Sequence, residues 1–552
     1  MKRMESIACM KKMRIDKIEW LLVGLLLLVL ALTAVINFHV AHHVLDDDAS
    51  SELMLAELLH REKSLYSEDF YYSTEFFVQN QLIYGFLFNF FDGWANVRFI
   101  GTCIIQLIYL ASFVYMMSQS GLGKKAVLIS ACLIMLPFTV VYGRTILYHG
   151  YYVWNFIPTY LLTGMFFSFL RGKNRSRGSY VFRLILVIFI SFLSCFLYVR
   201  QVFLTMIPIV GCLLFYLLSH SRNGQTPWRK WMLIPVVMLA AGGLGMLCNS
   251  SFLIPALKLY KQTEQYLNVL SPAYWGPMLS ALFTQFGYRT RVKMFSLVGV
   301  LSLGGLFNAF VLPFLAVEDM KGNDSDDFPI YTLRAMLPVN LIVTLFIFIF
   351  GDIPFRLQVD YSRYLVPASV WIVPMLCSFL SMKEKLPHIK RIIYLLCGGI
   401  FILNAIFNSV SFLNSKNFGQ PYDGISYDNP HLVDDLQTAK EYIRAHDYQY
   451  GYAFAGVANT LVEMMNGFPV VSLRLTPEGA FEYTNWLTLK SYKVIPAERA
   501  FLLMTKDEES LYRDALAESG LERIYFDDNG YVIYEVADVP RFREMIREPI
   551  EM

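Results

Sequence analysis

The chain has 552 residues, with 47 Lys+Arg against 45 Asp+Glu, 55% hydrophobic and 16% aromatic residues, and only 17% charged ones; mean hydropathy is +0.43. A soluble protein of this length carries roughly a quarter charged residues, so the composition excludes a cytosolic globular enzyme, a disordered chain and a nucleic-acid-binding protein. Apolar runs of roughly 20 residues, the length that crosses a bilayer, recur along most of the sequence. The reading is a polytopic α-helical membrane protein.

Residues 1–18 carry Lys11, Lys12, Arg14 and Lys17 ahead of the first apolar run, which makes this stretch cytoplasmic by the positive-inside rule. About eleven transmembrane helices are predicted within 19–415, at about 19–39, 97–117, 125–142, 152–170, 182–199, 201–219, 231–250, 294–317, 335–351, 364–381 and 391–413. Threading from an inside amino terminus leaves Lys124/Lys125, the basic group from Arg171 to Arg177, Arg222 to Lys230 and Lys383 to Arg391 inside. The acidic loop Glu318–Arg334 does not follow this pattern. Away from their ends the predicted spans hold no Asp, Glu, Lys or Arg. Ion-coupled transport generally needs an ionisable group near the midplane, so the chemistry is expected at the external surface. All eight cysteines except Cys9 lie within or beside apolar runs, which gives neither a disulfide framework nor a thiolate metal site.

The first outer loop, 40–96, is the richest segment. His42, His43, Asp46, Asp47, Asp48 and Glu52 stand together at its start. Three consecutive carboxylates beside lipid repel one another, which raises at least one pKa and suits a general base. They also suit a hard divalent cation, Mg²⁺ or Mn²⁺, with Asp47 and Asp48 as ligands; the bland alternative is an acidic cap on the span. Helical periodicity follows over Ser51–Lys63, then the aromatic group Phe70, Tyr71 and Tyr72 beside Glu75. Aromatic rings next to a carboxylate can stack on a sugar and bind its hydroxyls, or form a belt at headgroup level. Phe76–Phe91, apolar but interrupted by Gln79, Asn80, Gln81 and Asn89, reads as an interfacial helix.

Arg98, Arg144, Arg200, Arg289, Arg291, Lys293, Arg356 and Arg363 fall on the outer face, where arginine forks suit phosphate oxygens. His149 is either a proton carrier or a structural histidine at a helix end. After about residue 415 the charge changes: from Gln420 to Met552 there are 12 Lys+Arg and 23 Asp+Glu, net −11, leaving +13 in the remainder. Residues 416–552 therefore read as a separate extracytoplasmic α/β domain. Helices are expected near 431–446, 459–465 and 507–519, and strands at 450–455, 469–475 and 531–536. No nucleotide-binding glycine loop is present.

Three segments resemble the GT-C glycosyltransferases, multi-span enzymes that use polyprenyl-phosphate-linked sugars. The nearest patterns are those of the protein O-mannosyltransferases and the aminoarabinose transferase. Asp47-Asp48-Ala49 running into Ser51–Leu59 is similar to that family's acidic pair and helix. Phe86–Phe91, Gly93 and Arg98 match its interfacial helix and the arginine opening the second span. Arg363-Tyr364-Leu365-Val366-Pro367 matches its late Arg-Tyr-x-x-Pro segment. The resemblance implies transfer of a sugar from a polyprenyl-phosphate donor, such as an undecaprenyl-phosphate sugar, at the outer face of a bacterial cytoplasmic membrane. Membrane lipids are partners too, and the acceptor is an envelope glycan, teichoic acid, lipid or protein. No nucleotide cofactor or nucleic acid is implied.

In this reading Asp47 takes the acceptor's proton and Asp48 binds the acceptor or a metal ion. Because the pair lies inside a triplet, the base is Asp46, Asp47 or Asp48. Arg363, with Arg200 or Arg291, holds the leaving phosphate, while Glu75, Tyr72, Arg98, Arg144, His149 and Tyr364 complete the substrate site. The competing readings are a lipid-linked saccharide flippase or transporter, and a non-catalytic envelope assembly protein.

Overall fold

The computed structural model describes residues 16–73, 76, 79–150, 152–171, 177–220, 228–257, 259, 269–289, 292–321, 327–351, 361–380, 387–414, 433–476, 479–511, 513–519, 521–526 and 530–549. In chain order the helices that build the bundle are α1 Lys17–His43, α2 Asp47–Glu62, α3 Gln79–Leu87, α4 Trp94–Gln119, α5 Lys124–Ile134, α6 Val153–Arg171 and α7 Arg177–Leu197. They continue with α8 Ile207–His220, α9 Trp228–Cys248, α10 Trp275–Thr284, α11 Leu297–Lys321, α12 Phe328–Gly351, α13 Ile372–Phe379 and α14 His388–Asn414. Among the described residues eight helices are long and apolar enough to cross a membrane. Leu21, Leu28, Phe189, Phe310 and Leu395 on these helices are exposed, a cost in water that lipid removes. The chain is a multi-pass membrane protein.

Eight of the eleven predicted runs correspond to these long helices. The other three take shorter or broken forms. The run 125–142 is α5 followed by a loop and the short helix Val140–Tyr142, and 201–219 is a π-helical turn leading into α8. The run 364–381 becomes a 3₁₀ turn, Tyr361–Leu365, and two short helices with Pro367 and Pro374 near their starts. Proline lacks the N–H that would extend the helix backward.

Two helices extend beyond the predicted spans and take in charged residues near their ends. α12 begins at Phe328 rather than 335, because Pro329 fits the first turn of a helix. Arg334 therefore lies within α12, 1% exposed, with Nε donating to Ser378 Oγ at 3.2 Å. Near the end of α11, buried Asp319 accepts from Lys390 Nζ at 2.9 Å and Tyr394 Oη at 2.5 Å. These charges sit where α11 ends and where α12 and α14 begin. Their partners come from neighbouring helices, as desolvated charges require.

The first long connection, between α1 and α4, is built from its own capping signals. Asp46 is extended and its Oδ1 accepts the Ala49 N–H at 2.8 Å, the N-cap bond that starts α2. Lys63 in the left-handed conformation ends it. α3 packs against α4 because Gly101 lacks a side chain: a Cβ there would stand 2.4 Å from the Tyr84 ring.

Residues 433–549 contain a six-stranded mixed sheet. Its strands are β1 Gly451–Phe454, β2 Val470–Leu475, β3 Phe481–Tyr483, β4 Ala500–Thr505, β5 Glu522–Phe526 and β6 Tyr531–Val536. The order is β3-β2-β1-β4-β6-β5, with β1 parallel to β2 and β4 and the other pairs antiparallel. β1 is buried along its whole length, as the centre of a covered parallel region should be. α15 Val433–Ala445 and α16 Ala458–Met464 are its helices next to the bundle.

The sheet domain is bonded to the first connection at several points. Phe70 forms an antiparallel bridge with Leu489. Tyr71 N–H donates to Thr488 O at 2.9 Å, and Leu487 N–H to Tyr71 O at 2.8 Å. Asp69 accepts the Ser491 N–H at 2.6 Å. At Gly467, in the left-handed region, the turn after α16 lies against Trp94, whose N–H donates to Asn466 Oδ1 at 3.1 Å.

Candidate active site

The three aspartates at the start of α2 have three different environments. Asp46, besides capping its helix, accepts from Arg144 at 2.8 Å and faces His149 Nδ1 at 3.1 Å through Oδ2. His149 is fully buried, and its Nε2 lies 3.0 Å from Val44 O, so both ring nitrogens face acceptor oxygens. Arg144 stands on a π-helical turn, Gly143–Tyr148, a widened turn common at functional sites. This trio fixes the entry to α2.

Asp47 points into the sheet domain. Its Oδ1 accepts the N–H groups of Asn459 at 2.8 Å and Thr460 at 3.4 Å. Its Oδ2 accepts from Gly456 N–H at 3.2 Å and Asn459 Nδ2 at 3.3 Å. Burial pushes its carboxyl up to about 7, while the Gly456 and Asn459 donors pull it down. A carboxylate offers about four acceptor positions, and four donors take them here. Asp47 thus ties α16 to α2 and has little left to offer an acceptor hydroxyl.

Asp48 faces the other way. Its Oδ2 lies 3.0 Å from Arg363 Nη1, and its side chain is 45% exposed. Arg363 lies over the Tyr364 ring at 5.3 Å, and Arg200 lies over the same ring at 5.9 Å and over Tyr152 at 5.3 Å. Tyr152 meets Tyr364 edge to face at 6.1 Å. Four chain segments far apart in sequence therefore meet: an open carboxylate on one wall, two guanidinium groups braced by two tyrosines on the other. Such a wall suits an anionic oxygen cluster.

Two expected substrate residues are corrected. Arg98 is 1% exposed and committed to Glu463 of α16, with Nε and Nη2 each donating at 2.6 Å, while Nη2 also reaches Ala49 O at 2.8 Å. Tyr72 is buried, and its hydroxyl accepts the Ser67 N–H at 3.0 Å while its ring stacks on Tyr66. Tyr71 is held by Lys493, whose Nζ donates to its hydroxyl at 3.2 Å. Glu75, Arg291 and Arg356 lie outside the described residues. Arg289 is drawn into the bundle by Asn404 at 2.9 Å and Asn408 at 2.7 Å.

A divalent cation does not fit this donor set. Asp47 is taken up by backbone and amide donors, Asp48 faces a guanidinium, and His42 Nδ1 turns back toward Phe38 O at 2.8 Å. Among the described residues no three His, Cys, Asp or Glu side chains gather as a metal centre.

The sequence assigns Glu52, Asn80 and Trp154 no role in the site. Glu52 is one helical turn beyond Asp48 on α2, a spacing that puts both on one face. Asn80 Nδ2 donates to Glu52 Oε2 at 3.0 Å, and the Trp154 indole N–H donates to Asn80 Oδ1 at 2.6 Å. Burial pushes the Glu52 carboxyl up to about 8, against the pull of the Arg98 charge and the Asn80 bond. The available signal was the four-residue spacing from Asp48 together with the polar interruptions of α3.

Membrane-crossing helices, a first connection carrying the acidic helix and a carboxyl-terminal sheet domain make up a fold shared with solved membrane proteins. The chain is similar to ArnT from Cupriavidus metallidurans bound to undecaprenyl phosphate, at 12% identity and TM-score 0.56 over 95% of this chain and 99% of that one. Weaker likenesses join it to the same ArnT in the apo state, at 12% identity and TM-score 0.48 over 94% and 99%. They extend to the Archaeoglobus fulgidus oligosaccharyltransferase tethered with an acceptor peptide, at 11% identity and TM-score 0.44 over 94% and 74%. At these identities the likeness defines the fold. No family model matches the chain, and no curated protein matches it in sequence.

Proposed function

We propose that the protein is a glycosyltransferase that moves a sugar from a polyprenyl-phosphate donor to an acceptor at the outer face of a bacterial cytoplasmic membrane. Its amino terminus is then inside and residues 416–552 outside, as the lysine and arginine distribution favours. The acceptor is an envelope glycan, teichoic acid, lipid or protein. The observation that carries the reading is the 3.0 Å pairing of Asp48 with Arg363 beside Arg200, Tyr152 and Tyr364. The GT-C fold shared with an ArnT solved with undecaprenyl phosphate supports it.

In this mechanism Asp48, rather than Asp47, is the base, because it alone of the three presents an accessible oxygen to the arginine wall. Asp48 takes the proton of the acceptor group as that group's atom bonds to the anomeric carbon. The bond from that carbon to the phosphate oxygen breaks, and the electron pair leaves with the lipid phosphate. Arg363 and Arg200 meet the charge that develops there, a stabilisation fixed in place before the reaction begins. One displacement of this kind inverts the anomeric centre.

Binding of undecaprenyl phosphate to the detergent-purified chain tests the phosphate wall. Arg363→Ala and Arg200→Ala should each weaken it by about tenfold or more, as loss of a charge-assisted contact does. Wild-type affinity in both variants would remove the phosphate site from this location.

A further inference from the structure

We propose that Trp154, Asn80 and Glu52 form a sugar-binding subsite adjoining the Asp48–Arg363 wall, which takes the neutral hydroxylated ring of the donor. This rests on the glycosyltransferase reading and adds the group that recognises the sugar.

Each member is held by the next. The Trp154 indole N–H fixes the Asn80 carbonyl at 2.6 Å, which turns the Asn80 amide N–H toward Glu52 at 3.0 Å. Among the described residues that is the one hydrogen bond Glu52 makes, through Oε2, which leaves Oε1 to a ligand. Trp154 and Glu52 are both partly exposed while Asn80 is 5% exposed, so the triad has a buried hinge and two open ends. An indole face stacks on the apolar face of a sugar ring, and a carboxyl group with one oxygen open bonds its hydroxyls.

The position is also right for the donor. Trp154 follows Tyr152 by two residues, and the Tyr152 ring lies under Arg200 and against Tyr364. Glu52 follows Asp48 by one turn of α2. Glu52 thus shares a face of α2 with the candidate base Asp48, and Trp154 stands two residues along the chain from Tyr152 of the arginine wall. A neighbouring polar contact, Tyr198 Oη donating to Gln79 Oε1, braces the start of α3 on which Asn80 stands.

The groups facing Glu52 are Asp46 and Asp48 from its own helix, Tyr84 from α3 and Arg98 from α4. Arg98 is itself neutralised by Glu463 of α16. With Glu52 titrating at about 8, its carboxyl is protonated at neutral pH and can donate as well as accept. A neutral carboxyl beside the phosphate wall also avoids repelling the anionic donor.

The test compares the full chain's affinity for bare undecaprenyl phosphate with that for undecaprenyl-phosphate hexoses, aminohexoses and pentoses, for wild type, Trp154→Ala, Trp154→Phe and Glu52→Gln. Wild type should prefer a sugar-bearing lipid over the bare one by about tenfold, and the preference should fade above about pH 8 as Glu52 loses its proton. Trp154→Ala should abolish the preference and leave the bare-lipid affinity unchanged. Trp154→Phe, which keeps a stacking ring but not the indole N–H, should keep part of it. Isosteric Glu52→Gln should keep a preference that no longer changes with pH. No preference for any sugar in wild type, an unaltered preference in Trp154→Ala, or an unchanged pH dependence in Glu52→Gln would overturn the subsite. Each of those results leaves the phosphate site standing or falling by Arg363→Ala and Arg200→Ala, so the two readings fail separately.

Discussion

Three adjacent aspartates of one chemical type do three different jobs because the backbone at a helix start fans them apart. Asp46, in extended conformation, turns back on its own helix; Asp47 and Asp48, one residue apart on α2, point about 100° from each other around the helix axis. One therefore meets α16 and the other meets Arg363. Replacing Asp47 by Asn swaps a carboxylate acceptor for an amide whose NH₂ would face backbone N–H donors. The expected result is a loss of stability of about 1–3 kcal/mol, read as a lower melting temperature. Glu52 gives a second residue-level expectation. Its folded carboxyl titrates at about 8 against about 4.3 unfolded, so the unfolded state releases its proton first and stability falls as pH rises between those values. Melting temperatures across pH 5 to 8 should slope downward in wild type and less so in Glu52→Gln; equal slopes would contradict the assignment.

At the scale of elements, the tie between α4 and α16 is the buried pair Arg98–Glu463, with side chains 1% and 2% exposed. Removing one partner of such a pair strands the other charge, at about 3–5 kcal/mol. Glu463→Ala should therefore destabilise the protein by about that amount, more than the double replacement by apolar residues would. Equal chemical-denaturation midpoints for wild type and Glu463→Ala would mean that the pair is not formed. Periodicity and run length made the eight long helices, α2 and three of the six strands, β1, β2 and β6, legible, but not β3, β4 and β5. They did not reveal α5, α8 and the broken Tyr361–Phe379 segment as shorter pieces, because hydropathy counts apolar residues and not the backbone hydrogen bonds that proline and π turns interrupt. Nor did it distinguish Arg98 as a partner of Glu463 rather than of lipid. That pairing spans 365 residues of sequence, and only the docking of the sheet domain decides it.

For the whole molecule, the sheet domain forms part of the wall behind the site. Asp47, Asp69, Tyr71, Trp94 and Arg98, all in or beside the first connection, each bond to it. Truncation after Asn414 should leave those groups unpaired and abolish binding of undecaprenyl phosphate along with stability. A truncated chain that folds and binds the lipid normally would show that the domain is a separate appendage. The acidic cluster, Arg363 and Tyr364 stood out in the sequence because charges that survive at membrane ends are rare. Their division of labour did not, since spacing within a triplet says nothing of which neighbour each carboxylate meets.

The most direct measurement is sugar transfer from undecaprenyl-phosphate donors by Asp48→Asn, with Asp47→Asn compared at a temperature where both are folded. Loss of general-base action predicts a rate about 10²–10⁴-fold lower for Asp48→Asn, donor binding retained, and a much smaller effect for Asp47→Asn. Full turnover by Asp48→Asn, or the larger loss in Asp47→Asn, would contradict the assignment of Asp48 as the base.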